Sequence, residues 1–240
     1  MKIIFVLRKI RKILCIFIWR IFFTTSLKKK LSNCGIQNIS FFQPKLWTRK
    51  VAFFTGYIND EKIFIKVGSN IKKIKNEFEA YQNIKNNLHT PERISLFIKY
   101  IDFFKFGKFG ILISEFLQGN SLDNIRVDEN LIPLLENKFL QIIETLHETD
   151  TIHRDLRPQN FILHNSDLKL IDFEYGLCEN LKEVCSKKEI QLVNHPYNQE
   201  LGVFDDAYSM YKICQELNFD LNSEFMKNLK RFIGKKVYTL

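Results

Sequence analysis

Between Thr145 and Phe173 the sequence reads TLHETDTIHRDLRPQNFILHNSDLKLIDF, and His153, Arg154, Asp155, Asn160 and Asp172 bring an imidazole, a guanidinium, two carboxylates and a carboxamide into this one stretch. Carboxylates and carboxamides are hard oxygen donors of the kind Mg²⁺ takes, and a positioned carboxylate can also accept a proton. Singly, each residue has a plainer explanation, because Asp and Asn are common in turns. Their spacing argues against that. Phe161 to Leu163 and Leu168 to Ile171 read as two short strands around a turn at Asn165, Ser166 and Asp167. Asp155 and Asn160 precede this hairpin on one loop, and Asp172 follows it.

The run His153-Arg154-Asp155-Leu156, then Asn160, then Asp172-Phe173 resembles the catalytic core of eukaryotic-type protein kinases and their bacterial relatives. The resemblance implies ATP and Mg²⁺ as cofactors, with Asp155 orienting and deprotonating an acceptor hydroxyl and with Asn160 and Asp172 holding the metal. Transfer of a γ-phosphoryl group needs positioning and charge neutralisation more than covalent help. Upstream, Lys62 to Val67 (KIFIKV) has strand composition after a turn at Asn59-Asp60, and the resemblance makes Lys66 the lysine on the α- and β-phosphates. Eleven residues on, Asn76 to Ala80 opens a helical stretch, where Glu77 is assigned as the partner of Lys66. Glu79 lies about 200° round the same helix, so one of the two can face that lysine. Ile111 to Leu117 resembles the last strand of a small lobe and its hinge, which would give the main chain at Glu115 and Leu117 to adenine. Asp206 resembles the aspartate that ties down the catalytic loop, although as an N-cap it could simply start a helix. Asp205 competes for either role.

Departures from the protein-kinase pattern shape the substrate expectation. Gln43 to Lys50, between the expected first two strands, contains no glycine, so a phosphate lid must be built differently. The metal loop reads Asp172-Phe173-Glu174, and IDFEYG is similar to choline and aminoglycoside phosphotransferases. No APE follows, and few residues remain after the helix near Asp206. Bacterial lipopolysaccharide core kinases, acting on heptose or a keto-sugar acid, share these traits. The expectation is therefore an ATP-dependent phosphotransferase acting on a sugar hydroxyl of a glycolipid at the inner membrane, with an atypical Ser/Thr protein kinase as the alternative. The fold class expected is α+β: a two-lobed protein-kinase-like fold with a truncated large lobe and an N-terminal amphipathic helix. Residues 1–38 would form the basic extension, 39–114 the small lobe, and 115–240 the hinge and large lobe.

Twelve Lys and Arg residues and no Asp or Glu precede Asp60, so this segment carries +12 while residues 60–240 carry −3 of the net +9. Basicity confined to one end weakens a nucleic-acid reading and favours an anionic membrane surface. Ile3, Val6, Leu7, Ile10, Ile13, Leu14, Phe17 and Ile21 recur at spacings of three and four, one stripe of a helix. Charges interrupt the apolar runs, which excludes a spanning helix of about 20 residues and disfavours a signal peptide. Such a helix either lies in the headgroup plane, as a peripheral anchor on the cytoplasmic side, or packs its stripe on the domain. The five cysteines form no CxxC pair and read as free thiols; Cys15 could in principle be acylated.

Overall fold

The computed structural model describes residues 24–48, 50–178 and 196–239, together with 13, 14 and 17. Most of the N-terminal stripe, and Cys15 with it, lies outside the described residues. No described helix is long and apolar enough to cross a membrane. In chain order the first elements are helix α1 (Thr24–Asn33), strands β1 (Gln37–Phe41), β2 (Val51–Ile58) and β3 (Glu61–Gly68), and helices α2 (Ile71–Asn87) and α3 (Pro91–Ile94). Strands β4 (Tyr100–Phe106), β5 (Phe109–Glu115) and β6 (Asn120–Ser121) lead to helix α4 (Ile132–Glu148). Then come β7 (Thr151–Ile152), β8 (Phe161–His164), β9 (Asp167–Leu170), β10 (Leu177–Cys178) and β11 (Val203–Phe204). Helices α5 (Asp206–Glu216) and α6 (Glu224–Lys230) precede β12 (Tyr238–Thr239). This is the mixed α+β class expected.

The chain divides into two compact units, Met1–Lys75 with Tyr100–Phe116, and Asn76–Lys99 with Leu117–Leu240. These limits differ from those expected. The boundary at 38/39 falls inside β1, because Leu27, Leu31 and Ile36 are already core residues of the first unit. Residues 76–99, expected in the small lobe, belong to the second unit, where Asn76 is bonded to the segment after Asp172.

The first unit is an antiparallel sheet in the order β1-β2-β3-β5-β4. Alternation along β3 sends Ile63, Ile65 and Val67 to the core, which leaves Lys66 on the other face. Lys66 pairs in register with Phe53 on β2 and Leu112 on β5. Leu27 and Leu31, one turn apart on α1, are fully buried in this core, each such burial contributing about 1.5–3 kcal/mol. The glycine-free β1–β2 connection is fixed by Trp47, whose indole N–H donates to the Phe42 carbonyl at 2.8 Å. Its ring meets Phe41 and Phe54 at centroid distances of 5.3 and 5.2 Å. Thr48 Oγ1 then accepts from the Lys50 and Val51 N–H groups, closing the turn into β2.

The second unit is built on α4, whose Leu135, Phe139, Ile142, Ile143 and Leu146 form one buried stripe at helical spacing. Phe139 packs edge-on against Phe161 at 5.2 Å and stacks on Phe219 at 6.0 Å. The hairpin read from the sequence is β8–β9, turning at Asn165 with φ +53°. Gly119 passes so close beneath β8 that a Cβ there would lie 2.5 Å from the Leu163 carbonyl oxygen. Leu170 N–H bonds to the Leu96 carbonyl, and Ile98 N–H bonds to the Leu170 carbonyl. The strand that ends in the metal loop is thereby held on its outer side.

His147, in the last turn of α4, packs edge-on against Phe232 at 5.0 Å. Burial lowers its pKa below the ordinary 6.5, with Lys236 and Lys235 adding to the shift and Asp205 and Asp150 opposing it. The folded state thus holds a neutral imidazole that the unfolded chain would protonate at about its ordinary pKa, and stability is lost as pH falls through 6.5 toward the lower folded value. We expect the melting temperature to drop between pH 7.5 and 5.5 by more in wild type than in His147→Gln, as read by thermal unfolding at both values. Equal drops would show that His147 does not contribute.

Candidate active site

The residues around Asp155 are positioned by main-chain contacts at both ends of a short ladder. Strand β7, which leads into the His153–Asp155 loop, pairs with β10, which leaves the metal loop, through Ile152 and Leu177. The two loops therefore start and finish side by side. His153 is fully buried. Its Nδ1 accepts the Asp155 N–H at 3.2 Å, so the ring proton sits on Nε2 and is donated to the Ile171 carbonyl at 2.9 Å. The ring also meets Phe173 edge-on at 4.5 Å. One imidazole thus holds Asp155 and the two residues that flank Asp172.

Arg154 adopts φ +66°, a left-handed conformation uncommon for a residue with a side chain. Asp206 holds it there, Oδ2 accepting from the His153 N–H at 2.5 Å and Oδ1 from the Arg154 N–H at 3.0 Å. Burial raises the Asp206 carboxyl above the ordinary carboxylate range, opposed by His153 and by these two N–H groups. Asp205 is the N-cap of α5, accepting from the Tyr208 N–H at 3.1 Å. The two roles left open in the sequence are thus divided between neighbours.

Asn160 donates from Nδ2 to the Asp155 carbonyl at 2.8 Å and to its Oδ2 at 3.3 Å. With the amide nitrogen turned to Asp155, Oδ1 is the atom that can ligate a metal. Ile171 N–H donates to the Asn160 carbonyl at 2.9 Å, which brings Asp172 beside Asn160. Asp172 itself has φ +68° and opens a 3₁₀ turn, Phe173–Tyr175. The structure therefore brings Asp155, Asn160 and Asp172 together. Two hard oxygen donors, an amide and a carboxylate, fit Mg²⁺, which usually takes one or two protein carboxylates and completes its shell with water and phosphate oxygens.

Lys66 is buried within the first unit and Glu77 within the second. Of the two glutamates on α2, Glu77 is the buried one, 4% exposed, while Glu79 is half-buried. Glu115 ends β5 opposite Ile63, and its carbonyl accepts from Ser114 Oγ at 3.1 Å. Leu117 follows the division between the units, which falls after Phe116.

Two further residues have no sequence signal of their own. Arg157 Nη2 lies 3.4 Å from Asp155 Oδ2, and its Nε is buried without a hydrogen-bond partner among the described residues. Asn76, 1% exposed, turns its amide nitrogen onto three carbonyls of the metal loop: Gly176 at 2.7 Å, and Phe173 and Glu174 at 3.4 Å. Three acceptors converging on one end of the amide identify that end as the NH₂. A basic residue two after Asp155 and an Asn beside Glu77 look ordinary until the fold pairs them.

Residues 58–198, more than half of the chain, match the family model described as Protein kinase domain. The chain is similar to serine/threonine-protein kinase SMU1 of Mycosarcoma maydis, 26% identical over 172 residues that cover 63% of this chain and 23% of that protein. It is also similar to mouse serine/threonine-protein kinase PAK 1, 31% identical over 105 residues, 42% of this chain and 19% of that protein. It thus spans less than a quarter of the length of either relative. Among solved structures the BubR1 kinase domain shares the fold, with a TM-score of 0.53 at 21% identity over 72% of this chain and 59% of that one. With the loop geometry and the family match in agreement, the chain belongs to the protein kinase domain family.

Proposed function

We propose that this chain transfers the γ-phosphoryl group of ATP to a serine or threonine hydroxyl of a polypeptide. The observation that carries the reading is the state of Asp155. The residue is 4% exposed, Asn160 holds its carbonyl and Oδ2, and Asp206 fixes the two residues before it. Phosphoryl transfer relies on such positioning. Mg²⁺, when bound with the nucleotide, supplies neutralisation of charge on the phosphate oxygens. Asn160 through Oδ1 and Asp172 through its carboxylate would hold it. Asp155 orients the acceptor hydroxyl and takes its proton. Arg157 offers guanidinium N–H donors beside that carboxylate, a geometry suited to an anionic phosphate oxygen. The roles that the family pattern gives to Lys66, to Glu77, and to the main chain at Glu115 and Leu117 for adenine belong to the same proposal.

The polypeptide acceptor rests on the relatives, which are named serine/threonine-protein kinases. The departures at Gln43 to Lys50 and at Glu174 supported a glycolipid hydroxyl instead, and one assay separates the two. With γ-labelled ATP, a mixture of polypeptides and a membrane glycolipid extract, label is expected on Ser or Thr. Asp155→Asn should lower it by about 10²- to 10⁴-fold. Label confined to the glycolipid fraction would reject the polypeptide reading.

A peripheral position on an anionic membrane at the cytoplasmic side is a separate part of the proposal. The described residues of the N-terminal stripe, Ile13, Leu14 and Phe17, are 60%, 57% and 56% exposed, and twelve bases precede Asp60. Flotation with liposomes containing phosphatidylserine should carry the full chain and leave behind a variant lacking residues 1–20. Equal flotation of both would end this part.

Asn76 gives a further test of how the metal loop is held. Asn76→Leu keeps the volume but leaves the Gly176 carbonyl buried without its donor, a loss of about 1–3 kcal/mol. We expect a lower melting temperature and a higher Mg²⁺ concentration for half-maximal turnover. An unchanged Mg²⁺ requirement would show that Asn76 supports the fold alone.

A further inference from the structure

The segment Gly234–Thr239 lies far from the catalytic loop in sequence but is anchored at several points to elements of the second unit around it, and touches the loop itself at Arg154. Gly234 N–H donates to Asp205 Oδ2 at 2.7 Å, and the other oxygen of that carboxylate caps α5. Lys236 donates to the Leu146 carbonyl at the end of α4 at 3.4 Å and pairs with Asp150. Strand β12 is antiparallel to β11, with Tyr238 opposite Phe204 and Thr239 opposite Val203. The Tyr238 ring then lies against the Arg154 guanidinium, whose central carbon is 4.9 Å from the ring centroid.

Arg154 is an unusual place for such a contact, because it is 2% exposed and sits between His153 and Asp155 with φ +66°. Its Nε donates to the Tyr175 carbonyl at 2.5 Å, three residues after Asp172. One side chain therefore ties the Asp155 loop to the metal loop. A buried guanidinium needs both hydrogen-bond acceptors and a favourable surface for its faces. An aromatic ring provides the second, attracting the cation through its quadrupole. A leucine would keep an apolar contact but offer no such attraction.

We infer that Tyr238 is a positioning residue for phosphoryl transfer: its ring holds the Arg154 guanidinium in the orientation that bridges to Tyr175, and so sets the spacing between Asp155 and Asp172. The segment Gly234–Thr239 is then part of the catalytic apparatus, delivered to it by Asp205, Lys236 and β11. The inference deepens the proposed phosphotransfer and rests on it for its kinetic arm alone.

The test compares Tyr238→Phe, Tyr238→Leu and Lys236→Ala in the full chain by two readouts. Steady-state turnover of ATP should fall roughly 3- to 30-fold in Tyr238→Leu, the range a cation–π contact spans, with KM for ATP unchanged. Tyr238→Phe, which keeps the ring, should retain most of the activity. Amide hydrogen exchange over residues 151–160, measured without substrate, should accelerate in Tyr238→Leu and stay near wild type in Tyr238→Phe. Lys236→Ala loosens the same segment at a distance from the ring and should accelerate exchange there too, which keeps the inference testable if Tyr238→Leu does not fold. Equal kcat and equal exchange in the Phe and Leu variants would overturn the inference, because apolar packing alone would then suffice. Loop exchange in Lys236→Ala no faster than wild type would also overturn it. If wild type turned over no acceptor while the exchange pattern held, the failure would lie with the proposed function and the positioning role would stand.

Discussion

The active loop depends on one buried carboxylate. Asp206 accepts from two successive main-chain N–H groups, those of His153 and Arg154, and so stabilises a left-handed arginine that would otherwise cost about 1–3 kcal/mol. Burial works against the charge, raising the Asp206 carboxyl, and the two N–H groups with the His153 imidazole work for it. The position of Asp206 in the first turn of α5 helps, since the amide end of a helix favours negative charge. With Arg154 turned in this way, the chain reverses so that the residue after it, Asp155, receives Asn160 at its carboxylate and its carbonyl.

Neighbouring carboxylates at one helix start carry different loads. Asp205 caps α5 and takes the Gly234 N–H, while Asp206 takes the catalytic loop. The catalytic loop and a distant segment are thus referred to a single helix end. Relaxation of α5 by even a fraction of a turn would disturb both together.

What was legible in the sequence is what local spacing determines. The β8–β9 hairpin, the strand bearing Lys66 and the helix bearing Glu77 follow from residue type and short separations, and the loop from His153 to Asn160 from its resemblance to the protein-kinase pattern. The absence of glycine from Gln43 to Lys50 was also legible, but not how that connection is stiffened. Trp47 does it through a hydrogen bond to Phe42 and two ring contacts, none of which has a periodic signal. Asn76 with Gly176 and Arg154 with Tyr238 pair residues separated by most of a domain. A lone Asn or Tyr carries no mark of its partner, so these contacts emerge only from the fold.

The metal loop shows what such long-range pairs accomplish. From Ile171 to Gly176 the chain makes no sheet ladder, yet its buried carbonyls need donors. His153 supplies one to Ile171, Asn76 supplies Phe173, Glu174 and Gly176, and Arg154 supplies Tyr175. Gly176 N–H adds a turn bond to the Phe173 carbonyl. Five of six consecutive carbonyls are therefore engaged by three side chains, two from the catalytic loop and one from α2. A turn held at nearly every acceptor has little room to change conformation without stranding several buried groups at once. Glu174, where protein kinases carry a glycine, fits that condition: a loop pinned from both sides has no need of the backbone freedom that a glycine would provide.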